Sequence, residues 1–188
     1  MWSTARGARG ATRGACDMAR VLMGCDHRGI AAAEHLAERL KKSGHEVDLF
    51  CGGPGEQSSD YPIAAYEVAR RVSEDAQAFG VLICGTGLGM SIAANKVRGV
   101  RAAAVHDEIT AELSRAHLNA NVCCLSADLL GVRLIEKVVE RFLGADFEGG
   151  RHQRRLDQRR AVDHHPVLSL LMIKPTHRAE HDRQQILA

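Results

Sequence analysis

The stretch Phe79-Gly-Val-Leu-Ile-Cys-Gly-Thr-Gly-Leu-Gly-Met-Ser91 decides the fold. A short apolar run opens into three glycines, Gly85, Gly87 and Gly89, and then into a helix-compatible segment, Met90 to Lys96. That is how a buried strand passes through a loop over a helix N-terminus, where free backbone N–H groups point at an anion. Cys84 stands at the mouth of this cradle. Donors that hold an oxyanion also favour thiolate over thiol, so the pattern marks Cys84 as a base or nucleophile, against the ordinary alternative of a buried, inert cysteine. Two features of the loop weaken a dinucleotide or P-loop reading. Met90 occupies the third glycine position of G-x-G-x-x-G, and no G-K-[ST] occurs anywhere.

Outward from this stretch, apolar runs of strand length alternate with segments of helical period. Arg20 to Cys25, Glu46 to Phe50, Phe79 to Cys84, Arg101 to Val105 and Asn121 to Leu125 read as strands. Ile30, Ala33, Leu36, Ala37 and Leu40 fall on one helical stripe that stops at Gly44. A Gly/Pro loop at Gly52-Gly-Pro-Gly55 leads to Asp60-Tyr-Pro62, which opens a helix carrying Ala65, Ala69 and Val72. Further helices are predicted near Met90 to Lys96, Asp107 to His117 and Gly131 to Leu143. This βα alternation predicts an α/β fold, an open parallel five-stranded sheet with helices on both faces. Ligands of such sheets bind beyond the carboxyl ends of the strands, where Cys25-Asp26-His27, Cys84 to Gly89 and His106-Asp107 are expected to converge.

The 188 residues suffice for one ordinary domain with its own core, expected over residues 19–160. Residues 1–18, rich in Ala, Gly and Arg, read as an N-terminal extension: a disordered leader, a transit-like segment, or sequence upstream of a true start at Met18. Residues 161–188 read as a C-terminal extension, partly disordered or packing on a neighbouring subunit, with one short apolar run at Val167 to Ile173. No apolar stretch reaches the roughly 20 residues of a membrane helix. A net charge of +2 and only 4% aromatic residues speak against a nucleic-acid partner. The six cysteines include no C-x-x-C pair and follow no secretory h-region, which predicts reduced thiols in the cytoplasm and no zinc. Cys123 and Cys124, inside an apolar run, read as strand packing.

Three groups carry the chemistry. Asp26-His27 sets a carboxylate beside an imidazole, suited to proton shuttling, or else to a helix cap beside an exposed histidine. Arg151 and Arg155, four apart, would share a helix face and could grip a phosphate, or simply form a solvated basic face. His117 closes a helix, where the dipole favours a cation for structural or catalytic ends alike.

Gly24-Cys-Asp-His27, Ser59-Asp-Tyr-Pro62, the run Leu82 to Lys96, Leu113-Ser-Arg-Ala-His117 and Glu148-Gly-Gly-Arg-His152 together closely resemble the type B ribose-5-phosphate isomerases, a family that also includes galactose-6-phosphate isomerase subunits. The similarity spans roughly Arg20 to Arg160. It implies a Rossmann-like subunit assembled as a homodimer or homotetramer with active sites at the interface. It also implies cofactor-free and metal-free interconversion of an aldose phosphate and a ketose phosphate, most directly ribose 5-phosphate and ribulose 5-phosphate, through a cis-enediolate. Carried onto this chain, Cys84 would be the base moving the proton between C2 and C1, with Thr86 assisting at the oxygens. Backbone N–H groups of the Gly85, Gly87, Gly89 and Ser91 loop would hold the enediolate. His117 and Asp26 would open the furanose ring; His27, Arg151 and Arg155 would bind phosphate; Tyr61 and Asn121 would line the sugar site. Two departures from the family pattern stand out: Leu118 where many members carry Asn, and Asp128 where many carry a phosphate-binding Arg. Arg133 is one candidate to compensate. A hexose-phosphate isomerase and a non-catalytic sugar-phosphate binder are the competing expectations.

Overall fold

The computed structural model describes residues 18–51 and 60–164. The loop at 52–55, Ser59, Cys16, nearly all of the N-terminal extension, and the apolar run at 167–173 lie outside the described residues. The chain divides into two units, one ending at Phe147 and the other beginning at Glu148.

The first unit holds strands β1 (Arg20–Cys25), β2 (Glu46–Phe50), β3 (Ala78–Cys84), β4 (Ala102–Ala104) and β5 (Val122–Ser126). Its helices are α1 (Ile30–Lys42), α2 (Tyr61–Glu74), α3 (Leu88–Ala94), α4 (Glu108–Leu118) and α5 (Val132–Gly144). The strands form one sheet in the order β2-β1-β3-β5-β4, and every pairing is parallel. The expected five-stranded parallel α/β fold is therefore present.

Central β3 is buried at all seven positions, which is why its sequence reads as a continuous apolar run rather than an alternation. Successive side chains still part to opposite faces. Val21, Met23, Val81, Ile83, Cys123 and Leu125 pack with Leu36 and Leu40 of α1, Ala111 of α4, and Ile135 and Phe142 of α5. Leu22, Leu82, Cys84, Val122 and Cys124 pack with Ala64, Ala65, Val68 and Ala69 of α2 and Met90 and Ala94 of α3. Each large apolar side chain so buried contributes about 1.5–3 kcal/mol, so both helical layers are held without disulfides. The five described cysteines are free thiols.

Small differences from the sequence expectation have local causes. β4 is shorter than predicted because the Asn121 side chain accepts the Arg101 N–H at 2.7 Å, tying that residue to the start of β5 rather than to the ladder. α3 starts before Met90 because Gly87, with φ +76°, turns the chain in the left-handed region directly ahead of it. Asp107 caps α4, accepting the Thr110 N–H at 2.7 Å, so the helix begins at Glu108.

The second unit contains α6 (Arg151–His164). Its sequence has no apolar stripe of helical period, which is why periodicity did not single it out.

Gly29 joins the fold to the site. A Cβ there would lie 2.3 Å from the carbonyl oxygen of Ile83, a backbone atom next to Cys84 that cannot swing aside. Gly29→Ala is therefore expected to destabilise the protein by about 1–3 kcal/mol, the range for overpacking. Urea unfolding with an unchanged slope and a lowered midpoint is the measurement; an unshifted midpoint would mean the β1–α1 turn does not bear on β3.

Candidate active site

The order of strands in the sheet places β1 between β2 and β3, so the crossovers leave β1 in one direction and return past it in the other. The sheet's switch point thus lies between the carboxyl ends of β1 and β3, which are Cys25 and Cys84. The loops from these two strands lead to α1 and α3 on opposite faces of the sheet and so diverge there, which is where an open sheet of this kind forms its crevice.

Cys84 ends β3 on the face of α2 and α3 and is 5% exposed. Its sulfur is not simply sealed among side chains. It accepts the N–H of Gly87 at 3.1 Å, so it looks into the glycine loop. The β5–α5 turn fixes that loop: the Ala127 and Asp128 N–H groups donate to the Cys84 and Gly85 carbonyls at 2.8 and 3.2 Å. A Cβ at Gly87 would meet backbone atoms of Cys124 and Leu125 at 3.1 Å, so the loop lies directly on β5.

The N–H groups of Thr86, Gly89 and Met90 donate to no acceptor among the described residues, as expected ahead of and within a helix's first turn. The Thr86 hydroxyl is exposed and accepts the Leu88 N–H at 3.4 Å. Ser91 differs from expectation: its N–H already donates to the Gly87 carbonyl at 3.1 Å and its hydroxyl to the Leu88 carbonyl at 2.8 Å. It is engaged inside α3, and the available donors lie earlier in the loop.

Tyr61 opens α2 and lays its ring over Gly89. A Cβ on that glycine would come within 2.8 Å of the ring, so Gly89 keeps the approach open. Tyr61 remains 42% exposed, an aromatic wall beside the loop.

Asp26 joins from the other side of the crevice. Its N–H donates to the Ile83 carbonyl at 3.2 Å, and its buried carboxylate accepts the N–H groups of Arg28 and Gly29 at 2.9 and 3.2 Å. Only one carboxylate oxygen is used in these bonds. The helix cap proper is Gly29, and His27 between them is exposed.

His106-Asp107 does not converge with these groups. The pair follows β4, separated from β3 by β5, and the Asp107 carboxylate is occupied in capping. The Thr110 N–H holds that carboxyl below the usual carboxylate range. Burial pushes the Cys123 and Cys124 thiols up, consistent with strand packing.

His117 and Asn121 lie at the other end of the sheet. α4 leaves the carboxyl end of β4 and returns the chain to the amino end of β5, with His117 in its last turn and Asn121 just before Val122. Along the β3–β5 register Gly80 pairs with Val122 and Cys84 with Ser126. The length of α4 alone, about 16 Å at 1.5 Å per residue, separates His117 from the carboxyl edge. The Asn121 amide meanwhile holds the Arg101 N–H and the Gly99 carbonyl, at 2.7 and 3.1 Å. One protomer therefore brings Cys84, Thr86, Gly85–Gly89, Tyr61 and Asp26 to one edge and His117 to the opposite one.

Arg151 and Arg155 lie on α6 in the second unit, four apart and both exposed. The Arg151 Nε donates to His152 Nε2 at 3.1 Å.

Arg28 is a residue the sequence reading missed. Its guanidinium forks onto Asp128, Nε and Nη2 lying 2.9 and 2.8 Å from Oδ2, and both side chains sit where a Cβ on Gly85 would fall. An ion pair thus stands at the loop, the Arg28 charge offset by the carboxylate at 128. No local signal announces a pair 100 residues apart. Arg133 belongs elsewhere, lining a groove between α1 and α5 with His35, Arg39 and Glu136.

Comparisons with known proteins identify a family. A family model described as Ribose/Galactose Isomerase matches residues 21–158. Ribose-5-phosphate isomerase B of Escherichia coli K12 is 38% identical over 146 residues, covering 78% of this chain and 97% of that protein. D-erythrulose-4-phosphate isomerase of Pectobacterium atrosepticum is 35% identical, covering 71% and 88%. The crystal structure of ribose-5-phosphate isomerase B from Mycoplasma genitalium with bound ribulose 5-phosphate superposes with a TM-score of 0.73 at 42% identity, covering 78% and 98%.

Proposed function

The chain belongs to the ribose/galactose isomerase family, and from that premise we propose that it interconverts ribose 5-phosphate and ribulose 5-phosphate through a cis-enediolate. The observation that carries this reading is the Cys84 sulfur, held by the Gly87 amide at 3.1 Å beside further unspent loop amides at the sheet's switch point. Removing a proton next to a carbonyl needs a base and a preorganised oxyanion site, and one loop supplies both.

Cys84 takes the proton from C2 of the open-chain aldose and returns it to C1. The amides of Thr86, Gly89 and Met90 stabilise the negative oxygen that develops between these steps, and the Thr86 hydroxyl moves protons at the oxygens. Asp26 and His117 open the furanose ring, Tyr61 lines the sugar, and His27, Arg151 and Arg155 bind the phosphate. Ser91 supports the loop through α3, and Asn121 supports the His117 end through Arg101.

Two copies of the chain build each site. Placement of His117 at the sheet edge opposite Cys84 supports this, since one protomer's groups do not meet. A homodimer or homotetramer answers that requirement. The cysteine spacing, with no C-x-x-C pair, supports a cytoplasmic setting, and no described helix is long and apolar enough to cross a membrane.

The test is turnover by the purified protein, without added metal, of a panel of tetrose, pentose and hexose phosphates. The pentose phosphate is expected to give the highest kcat/KM. Preference for a tetrose or hexose phosphate would move the substrate while keeping the chemistry, and tight binding without turnover would make the protein a sugar-phosphate binder.

Arg151→Ala is expected to raise KM about 10- to 100-fold with kcat little changed, because a charge-assisted hydrogen bond worth about 1.5–3 kcal/mol is lost equally from ground and transition states. Steady-state kinetics on ribose 5-phosphate decides it; an unchanged KM removes Arg151 from the phosphate site.

A further inference from the structure

Cys25 and Cys51 face each other across adjacent strands. Gly24 of β1 pairs with Phe50 of β2, so the next residues along each chain, the two cysteines, are directly opposed. Neighbouring strands lie about 4.8 Å apart, within the range of about 4.4–6.8 Å between Cα atoms that a disulfide spans. The sulfurs are 2.6 Å apart, with both residues free thiols. A bond of about 2.04 Å needs a sub-ångström approach. We propose that Cys25 and Cys51 form a reversible disulfide that staples the edge strand β2 to β1 immediately before Asp26.

The two thiols are unequal. Cys25 is buried, and that burial together with the Cys51 thiol and the Asp26 carboxylate pushes its own thiol up, so it is not the thiol that meets a dissolved oxidant, and it reacts only with the sulfur held against it. Cys51 is half-buried at the end of an edge strand and meets the oxidant first. With a peroxide as oxidant, the Cys51 thiolate attacks one peroxide oxygen, forming the sulfenic acid and releasing hydroxide. The Cys25 sulfur then attacks the sulfenic sulfur, the S–S bond forms, and the S–O bond breaks. The leaving hydroxide takes the Cys25 proton and departs as water. Two thiols are oxidised and one peroxide is reduced to two waters, counting the proton that Cys51 gave up. Neither cysteine belongs to the proton-transfer step assigned to Cys84, so the staple stands or falls independently of the isomerase reading.

The experiment is treatment of the full-length protein with hydrogen peroxide, followed by alkylation, non-reducing trypsin digestion and mass spectrometry. The expected product joins the peptide from Val21 to Arg28 to the peptide from Ser43 to Arg70, lighter by two hydrogens than their sum, and dithiothreitol separates them. In Cys25→Ser, a dimedone adduct should accumulate on Cys51; in Cys51→Ser, Cys25 should stay reduced. Unlinked peptides in the wild type, with Cys51 either untouched or carried on to the sulfinic acid, would overturn the proposal. So would dimedone labelling of Cys25 in Cys51→Ser with none on Cys51 in Cys25→Ser.

Discussion

Cys84→Ala is expected to cut turnover of ribose 5-phosphate by about 10²–10⁴-fold or more, the contribution of a positioned general base, equivalent to about 3–5 kcal/mol of barrier. The fold should survive. Cys84 is buried at the end of β3, but the substitution removes a single sulfur from the loop-facing side of the core, for a cost near ~1 kcal/mol. Thermal unfolding should therefore remain cooperative with a modest drop in Tm while activity collapses. Cys84→Ser separates hydrogen bonding from basicity. A serine hydroxyl can still accept the Gly87 N–H that the sulfur accepts at 3.1 Å, yet it does not ionise near neutrality. Both variants should be inactive, with the serine closer to the parent in stability. Turnover within tenfold of the parent in either variant would remove Cys84 as the base and with it the proposed mechanism.

The second large effect concerns two inactive variants mixed together. Cys84→Ala and His117→Ala should each be nearly inactive alone. If each site draws Cys84 from one protomer and His117 from its partner, a mixed dimer contains one site with both residues intact and one with neither. Random mixing makes half the dimers mixed, so activity should rise from near zero to about one quarter of the parent's. Co-expression, or subunit exchange followed by assay, provides the measurement. Mixtures no more active than their parents would mean that the cysteine and histidine of a single protomer work together. The present geometry argues otherwise, since α4 carries His117 away from the carboxyl edge where Cys84 ends β3.

Parts of the site were legible in the chain because they are local. Three glycines after an apolar run, a thiol at the junction and a helix start beyond it all lie within about two turns of backbone, so their spacing alone fixes what they can form. Asp26-His27 after the first strand is readable for the same reason. Arg28 was not, although it adjoins them. Its meaning depends on Asp128, which reaches it only because the loops after β1 and β5 both open at the carboxyl edge. Tyr61 over Gly89 and Cys25 against Cys51 are likewise contacts made by packing rather than by spacing. α6 escaped notice because a helix without an apolar stripe leaves no periodic trace.

The amino-acid sequence by itself determined the class of fold, since the alternation of apolar runs with helical stripes admits little besides a parallel sheet covered on both sides. It also marked Cys84 and the glycine loop after it as the candidate for the chemistry. Only the tertiary structure decided the strand order β2-β1-β3-β5-β4, and hence that the crevice opens between Cys25 and Cys84 while His117 stands at the far edge. The reason is physical. Hydrophobic period reports which face a residue buries, whereas the neighbour a strand chooses is set by side-chain packing between segments tens of residues apart, and no local pattern encodes that choice.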